Sequence, residues 1–394
     1  MTEYLKSVLD GQATSVAFKS PDLETITRAG SQRIRRRRAV VLAGVAVVAV
    51  LGTVAAVSGL GRVAPQVGSG PWPAESVSWA EGQTIHVGTD TIDAGHVVRA
   101  YVRTSVGFAV VDDVDDVYSV TTQGVTKVGH LTATRPNNFD QQRLVSDPRG
   151  SLVGWVAEDP PGSLVFVAFD QRTGRTRSYP ATAAVPPDGQ VALFFAIDDR
   201  TGYWRTSTGV YSVNLDTGDE DQIEAGPAHD FEVYSAEDGI IAYSPNADTT
   251  FFAGRAVQGA RQLRDLSDPR IGHIDPVRLS PTGVWLSIGV VEYEGVNENV
   301  RLIGITPEVY DTATGERITL DIPGKPTVAF PDVWLDETTV QVVVSDGDFE
   351  RQPRLSLYMC SVPDGSCALA SAMGKFDLEG EFPVLPDGRW WGPR

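Results

Sequence analysis

Two patterns of hydrophobic and polar residues divide the chain. Residues 39–59 read AVVLAGVAVVAVLGTVAAVSG, a run of 21 residues without a charged side chain. From Val77 onwards, short apolar, β-branched or aromatic runs alternate with turn-forming residues, and no long amphipathic helix pattern interrupts them. An uncharged helix of this length spans about 31 Å, enough to cross a hydrocarbon core of about 30 Å. The sequence therefore predicts a single transmembrane α-helix followed by an all-β domain.

The charges around the apolar run predict its orientation. Only Arg62 follows the run closely, whereas the side before it carries Arg33, Arg35, Arg36, Arg37 and Arg38. Basic residues that flank a membrane helix stay in the cytoplasm. We therefore predict a cell-membrane protein with a cytoplasmic tail (1–38), a transmembrane helix (39–59), a Gly- and Pro-rich linker (60–76) and an extracytoplasmic domain (77–394).

A cleaved signal peptide is the alternative interpretation of the same apolar run. The small residues Ala56-Val57-Ser58 would then form the cleavage site. Signal peptides usually have an apolar stretch of about 7–15 residues, which is shorter than this one. The 38 residues before the run also exceed the usual leading region. Both observations favour a retained anchor.

Turn motifs recur throughout the predicted β region. The motif [Asp/Asn]-x-x-Thr-Gly occurs at 170–174, 198–202, 214–218 and 311–315. Glycines predicted to close the hairpin between the third and fourth strands of a repeat are Gly82, Gly124, Gly174, Gly218, Gly259, Gly315 and Gly365. Turns predicted between the first and second strands are those at Gly107, Gly150, Gly202, Gly239, Gly283, Asp336-Glu337 and Gly388. Four-stranded repeats of about 40–50 residues are typical of β-propeller blades.

These repeats predict a seven-bladed β-propeller, with six or eight blades left open. Six blades fall near 97–131, 142–180, 190–225, 231–266, 275–322 and 327–371. Residues 379–392 would supply the first two strands of another blade, and residues 77–88 its last two. Joining both ends of the domain in one blade closes the ring and covers sheet edges that otherwise invite aggregation.

The S-P-x-G and D-x-x-T-G turns resemble those of bacterial propellers of the TolB-like, WD-repeat-like and quinoprotein-like groups. The resemblance covers about residues 77–392. The Trp-Asp dipeptide and the His of true WD repeats are missing from these blades, so the chain departs from that group. Propellers host many unrelated activities, so the resemblance implies the fold of a bacterial propeller without implying its function. The apolar run at 39–59 adds the prediction that this propeller is membrane-anchored.

Acidic residues dominate the chain beyond its tail. The formal net charge is −18, yet residues 1–38 hold eight basic against four acidic side chains, which leaves 25 basic against 47 acidic in the remainder. Such a domain repels phosphate backbones, which disfavours nucleic-acid binding. Solubility outside the cytoplasm is the simpler interpretation. Arg outnumbers Lys 28 to 5, a ratio typical of a high-GC bacterial genome.

Two cysteines, Cys360 and Cys367, flank the turn signal Pro363-Asp364-Gly365. A tight hairpin there brings the two cysteines close together, and an oxidising compartment favours a disulfide between them. The enclosed loop is short, so the disulfide adds about 2–3 kcal/mol at most. No nearby His offers a further ligand for a metal.

No catalytic motif stands out, since the G-x-S-x-G, H-E-x-x-H, P-loop and G-x-G-x-x-G patterns are missing. The histidines have no ligand spacing: they are His86, His96, His130, His229 and His273. Acidic clusters in DDVDDVY and DGDFE come closest to a site, because grouped carboxylates suit Ca²⁺, although each cluster also fits a solvated turn. The candidate ligands are Asp112, Asp113, Asp115, Asp116, Asp346, Asp348 and Glu350. No other cofactor is predicted.

Three functions remain open at this stage. The sequence favours a binding module that holds a protein, peptide or glycan on one propeller face over an enzyme. The first alternative is a hydrolase or lyase acting on cell-envelope material, with charged side chains gathered in a central pocket. The second is a transmembrane signalling protein with a cytoplasmic partner on its tail. Aromatic residues near both ends, Trp72, Trp79, Trp390 and Trp391, either pack where the ring closes or line a ligand groove, and we favour closure.

Overall fold

The computed structural model describes residues 76–132, 144–181, 193–206, 208–225, 231–245, 250–255, 257, 260–266, 268, 271–294, 301–347, 353–362, 364–375 and 383–389. Every regular element within these ranges is a β-strand. The predicted all-β class is therefore confirmed for the described part of the chain.

Most sheets consist of consecutive antiparallel strands. The first has three strands, β1 (Ser78–Glu81), β2 (Thr84–Val87) and β3 (Asp90–Asp93). Four sheets of four strands follow: β4 (Ala100–Arg103), β5 (Gly107–Val111), β6 (Asp116–Thr121) and β7 (Gly124–His130); β8 (Val145–Ser146), β9 (Leu152–Glu158), β10 (Leu164–Asp170) and β11 (Arg175–Pro180); β12 (Leu193–Asp198), β13 (Thr201–Thr206), β14 (Gly209–Asn214) and β15 (Glu220–Ala225); β16 (Glu232–Glu237), β17 (Ile240–Ser244), β18 (Thr250–Gly254) and β19 (Arg261–Asp265).

The remaining strands form one larger sheet of eight strands. They are β20 (Ile271–Leu279), β21 (Trp285–Glu294), β22 (Arg301–Asp311), β23 (Arg317–Thr319), β24 (Val328–Trp334), β25 (Thr339–Ser345), β26 (Arg354–Ser361) and β27 (Cys367–Lys375). Its two halves, β20–β23 and β24–β27, meet through a parallel pairing of β22 with β24 at Ile305 and Val328.

Burial falls from the inner to the outer strands of a sheet. All five residues of β5 are buried, whereas most of β7 is exposed. The same contrast separates β10, which is almost entirely buried, from β11. Near-continuous apolar runs are expected for strands that are covered on both faces, and polar residues tolerate the outer position. The apolar runs of the sequence therefore indicate how deeply a strand is buried as well as where it lies along the chain.

The first strands of neighbouring sheets lie side by side. Contacts join β4 to β8, β8 to β12, β12 to β16, β16 to β20 and β20 to β24. A series of antiparallel four-stranded sheets with adjoining first strands is the arrangement of a β-propeller. The structure thus supports the propeller class.

Aromatic side chains hold neighbouring sheets together. Trp204 of β13 stacks on Phe166 of β10 with ring centroids 4.5 Å apart, and it meets Phe194 of β12 edge-on at 5.6 Å. All three side chains are buried. Each aromatic pair of this kind contributes about 0.5–1.5 kcal/mol beyond its apolar area. The cluster fixes the β8–β11 sheet against the β12–β15 sheet.

Three of the four [Asp/Asn]-x-x-Thr-Gly motifs share one turn geometry. The side-chain oxygens of Asp170, Asn214 and Asp311 accept backbone N–H bonds within their own turns. The glycine that ends each motif donates its N–H to the carbonyl four residues earlier and has a φ between 69 and 82°. That left-handed conformation is open to glycine without a steric penalty. These hairpins between third and fourth strands are confirmed.

The fourth motif, at 198–202, works differently. It lies between the first and second strands of its sheet, and the carboxylate of Asp198 reaches the next sheet. There it accepts the backbone N–H groups of Asp238 at 3.1 Å and Gly239 at 2.7 Å. This motif also forms a hairpin turn, between β12 and β13, but its Asp side chain links two sheets.

The two ends of the domain supply different numbers of strands from those predicted. Residues 77–88 hold two strands as expected, β1 and β2, but a third strand, β3, follows them and completes the sheet. Gly82 consequently turns between β1 and β2 instead of closing the last hairpin of the blade. Gly88, with a φ of 57°, permits the extra turn, and Ile92 buries its side chain in β3.

Within the described residues 383–389, the C-terminal segment pairs at two isolated positions, whereas two strands were expected from residues 379–392. Ala80 and Val384 exchange two backbone hydrogen bonds of 2.8 Å, and Asp387 pairs with Val102 of β4. Trp79 is buried in one core cluster with Leu385, as closure packing requires. The other three tryptophans of the closure prediction, and Gly259, lie outside the described residues.

The predicted tail, the transmembrane helix with its arginines, and the linker up to residue 75 also lie outside the described residues. Within the described ranges, no helix is both long enough and apolar enough to cross a membrane. The anchor, its orientation and a signalling role for the tail therefore stay predictions.

Candidate binding pocket

A cavity of about 340 Å³ lies where the first strands of the sheets adjoin. Side chains from β4, β8, β12, β16, β20 and β24 line it, together with Pro386 of the C-terminal segment. Residues from the turns between first and second strands, including Ser105, Pro148 and Pro281, mark the end of the sheets at which it lies. We call it the central cavity.

Most of the wall of the central cavity is apolar. Phe195, Leu279 and Trp334 contribute large side chains, and Ser146 and Ser235 contribute small hydroxyls. Ligand sites commonly combine such an apolar wall with a few polar groups that fix orientation. The volume suits a group of one or two amino-acid residues.

Four charged side chains line the cavity among the described residues, three arginines and one glutamate. Arg149, in the turn after β8, approaches Glu237 of β16 with Nη2 and Oε2 3.3 Å apart. Burial raises the pKa of Glu237 well above its ordinary value, Asp147 and Asp198 raise it further, and Arg149 and Arg278 oppose the shift. Glu237 thus retains its proton to a higher pH than an exposed glutamate.

The other two arginines are anchored by backbone carbonyls. Arg103 Nη1 donates to the Ser76 carbonyl at 2.6 Å. Arg278 donates to the carbonyls of Tyr234 at 3.3 Å and Asp387 at 3.0 Å. Burial lowers the pKa of Arg103. These hydrogen bonds orient both guanidinium groups at the wall of the central cavity.

Behind the arginines lies a buried acidic pair. The side chains of Asp332 and Asp387 are both 0% exposed. Asp332 Oδ2 accepts a 2.6 Å hydrogen bond from Gln341 Nε2, while Oδ1 has no hydrogen-bond partner among the described residues. Burial raises the pKa of Asp332 well above its ordinary value, and Asp387 adds to this, while Arg278 and Arg103 oppose it. Asp332 therefore resists ionisation, whereas Asp387 Oδ2 lies 3.9 Å from Arg389 Nε.

Two acidic residues of DDVDDVY, Asp112 and Asp116, bond to neighbouring groups of their own sheet. Asp112 is buried and its Oδ1 accepts the backbone N–H groups of Val114 at 3.0 Å and Asp116 at 2.9 Å. Asp116 approaches Lys127 Nζ at 2.5 Å and His130 Nδ1 at 2.9 Å. The Lys127 bond is the main cause that lowers the pKa of Asp116. Asp113 and Asp115 belong to the same turn.

The second acidic cluster is described in part. Asp346 Oδ1 accepts the backbone N–H of Arg354 at 2.6 Å, while Asp348 and Glu350 lie outside the described residues. Within the described ranges no group of three or more His, Cys, Asp or Glu side chains is arranged to hold a metal ion. Calcium binding at these clusters stays a prediction.

Cys360 and Cys367 form the predicted disulfide, and they stand opposite each other in the β26–β27 pairing with their Cα atoms 4.1 Å apart. Cys360 is fully buried in a core cluster. The disulfide lies in the last hairpin of its sheet and takes no part in the central cavity.

The charged residues of the cavity were missed by motif reasoning. Arg103, Arg149, Glu237 and Arg278 belong to no short motif, because they come from four different sheets. A usable signal was their position: each stands at the end of a predicted first strand or in the turn that follows. Aligning the repeats would have placed them together.

Comparison with known proteins gives a likeness of structure without a family. No model of a known protein family matches the chain, and no curated protein sequence matches it. A prolyl endopeptidase structure is 13% identical over 80% of this chain and 51% of its own length, with a TM-score of 0.48. This chain thus spans about half of that protein.

Two bacterial structures are covered almost completely. A TolB structure from Agrobacterium tumefaciens is 11% identical over 81% of this chain and 98% of its own length, with a TM-score of 0.37. AztD from Citrobacter koseri is 10% identical over 78% and 96%, with a TM-score of 0.48. Identities and scores this low carry no argument about function.

Proposed function

We propose that the chain is a single-pass membrane protein whose extracytoplasmic β-propeller binds a protein, peptide or glycan at the end where the central cavity lies. The observation that carries this proposal is the cavity itself. Side chains from the first strands β4, β8, β12, β16, β20 and β24 line it, and its mostly apolar wall includes three arginines and one glutamate. Sites of this build are typical of ligand recognition.

We assign seven blades to the propeller. Six consist of β4–β7, β8–β11, β12–β15, β16–β19, β20–β23 and β24–β27, and the seventh of β1–β3 completed by Val384. The β22–β24 pairing that merges two groups into one sheet involves a single residue pair, which supports counting the halves separately.

The anchor rests on the uncharged run at 39–59 and the arginines before it. A C-terminal alkaline phosphatase fusion is the test, because this enzyme is active only outside the cytoplasm. Full activity in the membrane fraction is expected. Activity in the soluble fraction would instead support a cleaved signal peptide.

A filled cavity tests the binding proposal. Ser146→Trp places a large ring in the wall at a half-buried position of β8, whereas Thr126→Trp places the same ring on the exposed outer strand β7. Full-length protein in native membranes should retain a defined set of cross-linked envelope partners in the wild type and in Thr126→Trp, and lose it in Ser146→Trp. The same set recovered with all three proteins, and with the propeller deleted, would contradict the proposal.

Glu237 supports a second candidate, a hydrolase or lyase acting on cell-envelope material. A buried carboxyl with a raised pKa in a cavity meets the requirement for a general acid. The test is release of soluble fragments from purified cell-wall material by the full-length protein. Glu237→Gln should abolish release, and equal release by that variant would exclude Glu237 as the catalytic acid.

A further inference from the structure

Most hydroxyl groups in the wall of the central cavity are already bonded to other groups of the protein. Thr104 Oγ1 donates to Gln171 Oε1 at 2.5 Å, and Ser105 Oγ donates to the Gly150 carbonyl at 2.6 Å. Ser235 Oγ accepts the last backbone N–H of β20 at 3.2 Å. These hydroxyls face the cavity with their hydrogen-bonding capacity largely used.

The charged and aromatic polar groups of the wall are engaged in the same way. Arg149 pairs with Glu237 at 3.3 Å, and Arg103 and Arg278 donate to backbone carbonyls. Trp334 Nε1 donates to the Arg278 carbonyl at 3.1 Å. A sugar in this cavity would have to bury hydroxyls among groups that already have partners. Each buried hydroxyl without a partner costs about tenfold or more in affinity.

The apolar part of the wall is held rigidly by the core. Four buried side chains that line the cavity, Val102, Phe195, Leu279 and Leu335, belong to four different core clusters. Close packing in those clusters restrains their side chains. Binding an apolar group therefore requires little reordering of the wall, which favours affinity.

The dimensions of the cavity suit a single side chain. Its volume of about 340 Å³ is near the lower end of the range for ligand pockets, about 300–1,000 Å³. An extended glycan or a long acyl chain exceeds that space. Among the lining residues, Arg149 is 45% exposed and its partner Glu237 is 11% exposed. An apolar centre with charged groups at its edge is typical of the point where a protein partner inserts an anchoring side chain.

The net charge of the domain indicates what should flank that side chain. Residues beyond the tail carry 25 basic against 47 acidic side chains. The field of such a domain attracts a segment that contains Lys or Arg and repels an acidic one. A basic segment therefore complements the domain as a whole, while its apolar side chain complements the cavity.

We propose that the central cavity receives one large apolar side chain, aromatic or branched aliphatic, that lies between basic residues in an extended segment of a partner protein. The inference rests on the proposed binding function and specifies the part of the partner that the cavity recognises. A cell-envelope glycan is the competing ligand, and the experiment includes one.

Calorimetry with the full-length protein in detergent tests the ligand class. The probes are acetyl-Lys-Gly-Phe-Gly-Lys-amide, its counterpart with Ala in place of Phe, its counterpart with Glu in place of both Lys, and the disaccharide N,N′-diacetylchitobiose. The Phe peptide should bind about tenfold more tightly than the Ala peptide, or better, because the cavity buries its ring. The Glu peptide should bind more weakly, with a difference that shrinks as salt is added. The disaccharide should bind more weakly than the Phe peptide.

Variants at one wall position locate the site. Ser146→Trp places a ring in the cavity and should lower the affinity for the Phe peptide to that for the Ala peptide. Ser146→Ala removes only a hydroxyl and should keep the preference for Phe, which gives a decisive result even where the larger substitution prevents folding. Thr126→Trp, on the exposed strand β7, should leave every affinity unchanged.

Each outcome supports or overturns the proposal. Equal affinity for the Phe and Ala peptides, tighter binding of the disaccharide, or failure of all probes to bind would overturn the apolar side chain. Equal affinity for the Lys and Glu peptides would overturn the basic flanks. A preference for Phe that survives in Ser146→Trp, or is lost in Ser146→Ala or Thr126→Trp, would overturn the location. Partner retention that still depends on residue 146 would then leave the proposed binding function standing.

Discussion

Ring closure can be tested at Gly388. Its N–H donates to the Tyr101 carbonyl at 2.9 Å, and its carbonyl accepts the N–H of Leu144 at 3.1 Å. Its φ is 76°, and a Cβ added there would lie 2.1 Å from the Leu144 oxygen and 2.8 Å from Val102 Cγ1. Gly388→Ala must therefore push the C-terminal segment away from β4 and from the residue before β8.

The magnitude follows from two contributions. An alanine in the left-handed conformation costs about 1–2 kcal/mol. Loss of the two closing hydrogen bonds adds about 0.5–1.5 kcal/mol each. Gly388→Ala is therefore expected to lower the free energy of unfolding by about 2–5 kcal/mol. Gly324 has a similar φ of 82° and no atom within 4 Å of an added Cβ, so Gly324→Ala carries the first contribution alone.

Urea unfolding of both variants, followed by tryptophan fluorescence, measures the difference. Gly388→Ala should be less stable than Gly324→Ala by about 1–3 kcal/mol, the value of the two hydrogen bonds. Equal loss of stability in the two variants would mean that the C-terminal segment does not hold the ring together, and would refute the closure described here.

Three further predictions concern the buried acid, the disulfide and the cavity. Because the folded-state pKa of Asp332 is raised, the wild type loses stability as the pH rises above about 4. The free energy of unfolding of Asp332→Asn should therefore exceed that of the wild type by about 1–3 kcal/mol at pH 8 and by little at pH 4. A difference that does not vary with pH refutes this. Reducing the Cys360–Cys367 disulfide should lower the free energy of unfolding by about 2–3 kcal/mol in urea titrations, and an unchanged midpoint contradicts it. Because burial also raises the folded-state pKa of Glu237 in the cavity wall, Glu237→Gln should gain more stability relative to the wild type at pH 8 than at pH 4, and equal differences in urea titrations at the two pH values contradict it.

Turn chemistry made much of the fold predictable from sequence. Asp170, Asn214 and Asp311 each satisfy the donors of a hairpin turn with their own side chains, so the signal is local and complete within five residues. The alternation of apolar strands and such turns then fixes strand spacing. The all-β class and the positions of most hairpins follow from these local preferences.

The closure was harder to predict because its pairing is not local. Val384 meets Ala80 across some 300 residues of sequence, and isolated bridges such as this one and Asp387–Val102 leave no alternating run of residues that would indicate a strand. The third strand at the N-terminal end was missed because DTID carries one buried apolar residue, Ile92, among polar ones. Edge strands of this kind resemble loops in sequence.

The cavity was not predictable from motifs for a related reason. Arg103 and Arg278 lie on separate sheets and are 175 positions apart in sequence. They line the same cavity only because the first strands of the sheets lie side by side. The acidic clusters attracted attention because their residues are adjacent in sequence. Yet Asp112 uses its carboxylate for backbone N–H groups of its own turn. The acidic residues that are adjacent in sequence thus belong to a structural turn, whereas the charged residues of the cavity are brought together by the fold.

Photo-cross-linking tests the central claim most directly. The photoreactive residue p-benzoylphenylalanine replaces Ser146 in the wall of the central cavity or, as the control, Thr126 on the exposed strand β7, in the full-length protein in native membranes. We expect the probe at position 146 to capture a defined set of envelope partners and the probe at position 126 to capture none of them. Capture of the same set from position 126, or of no partner from position 146, would contradict the binding proposal.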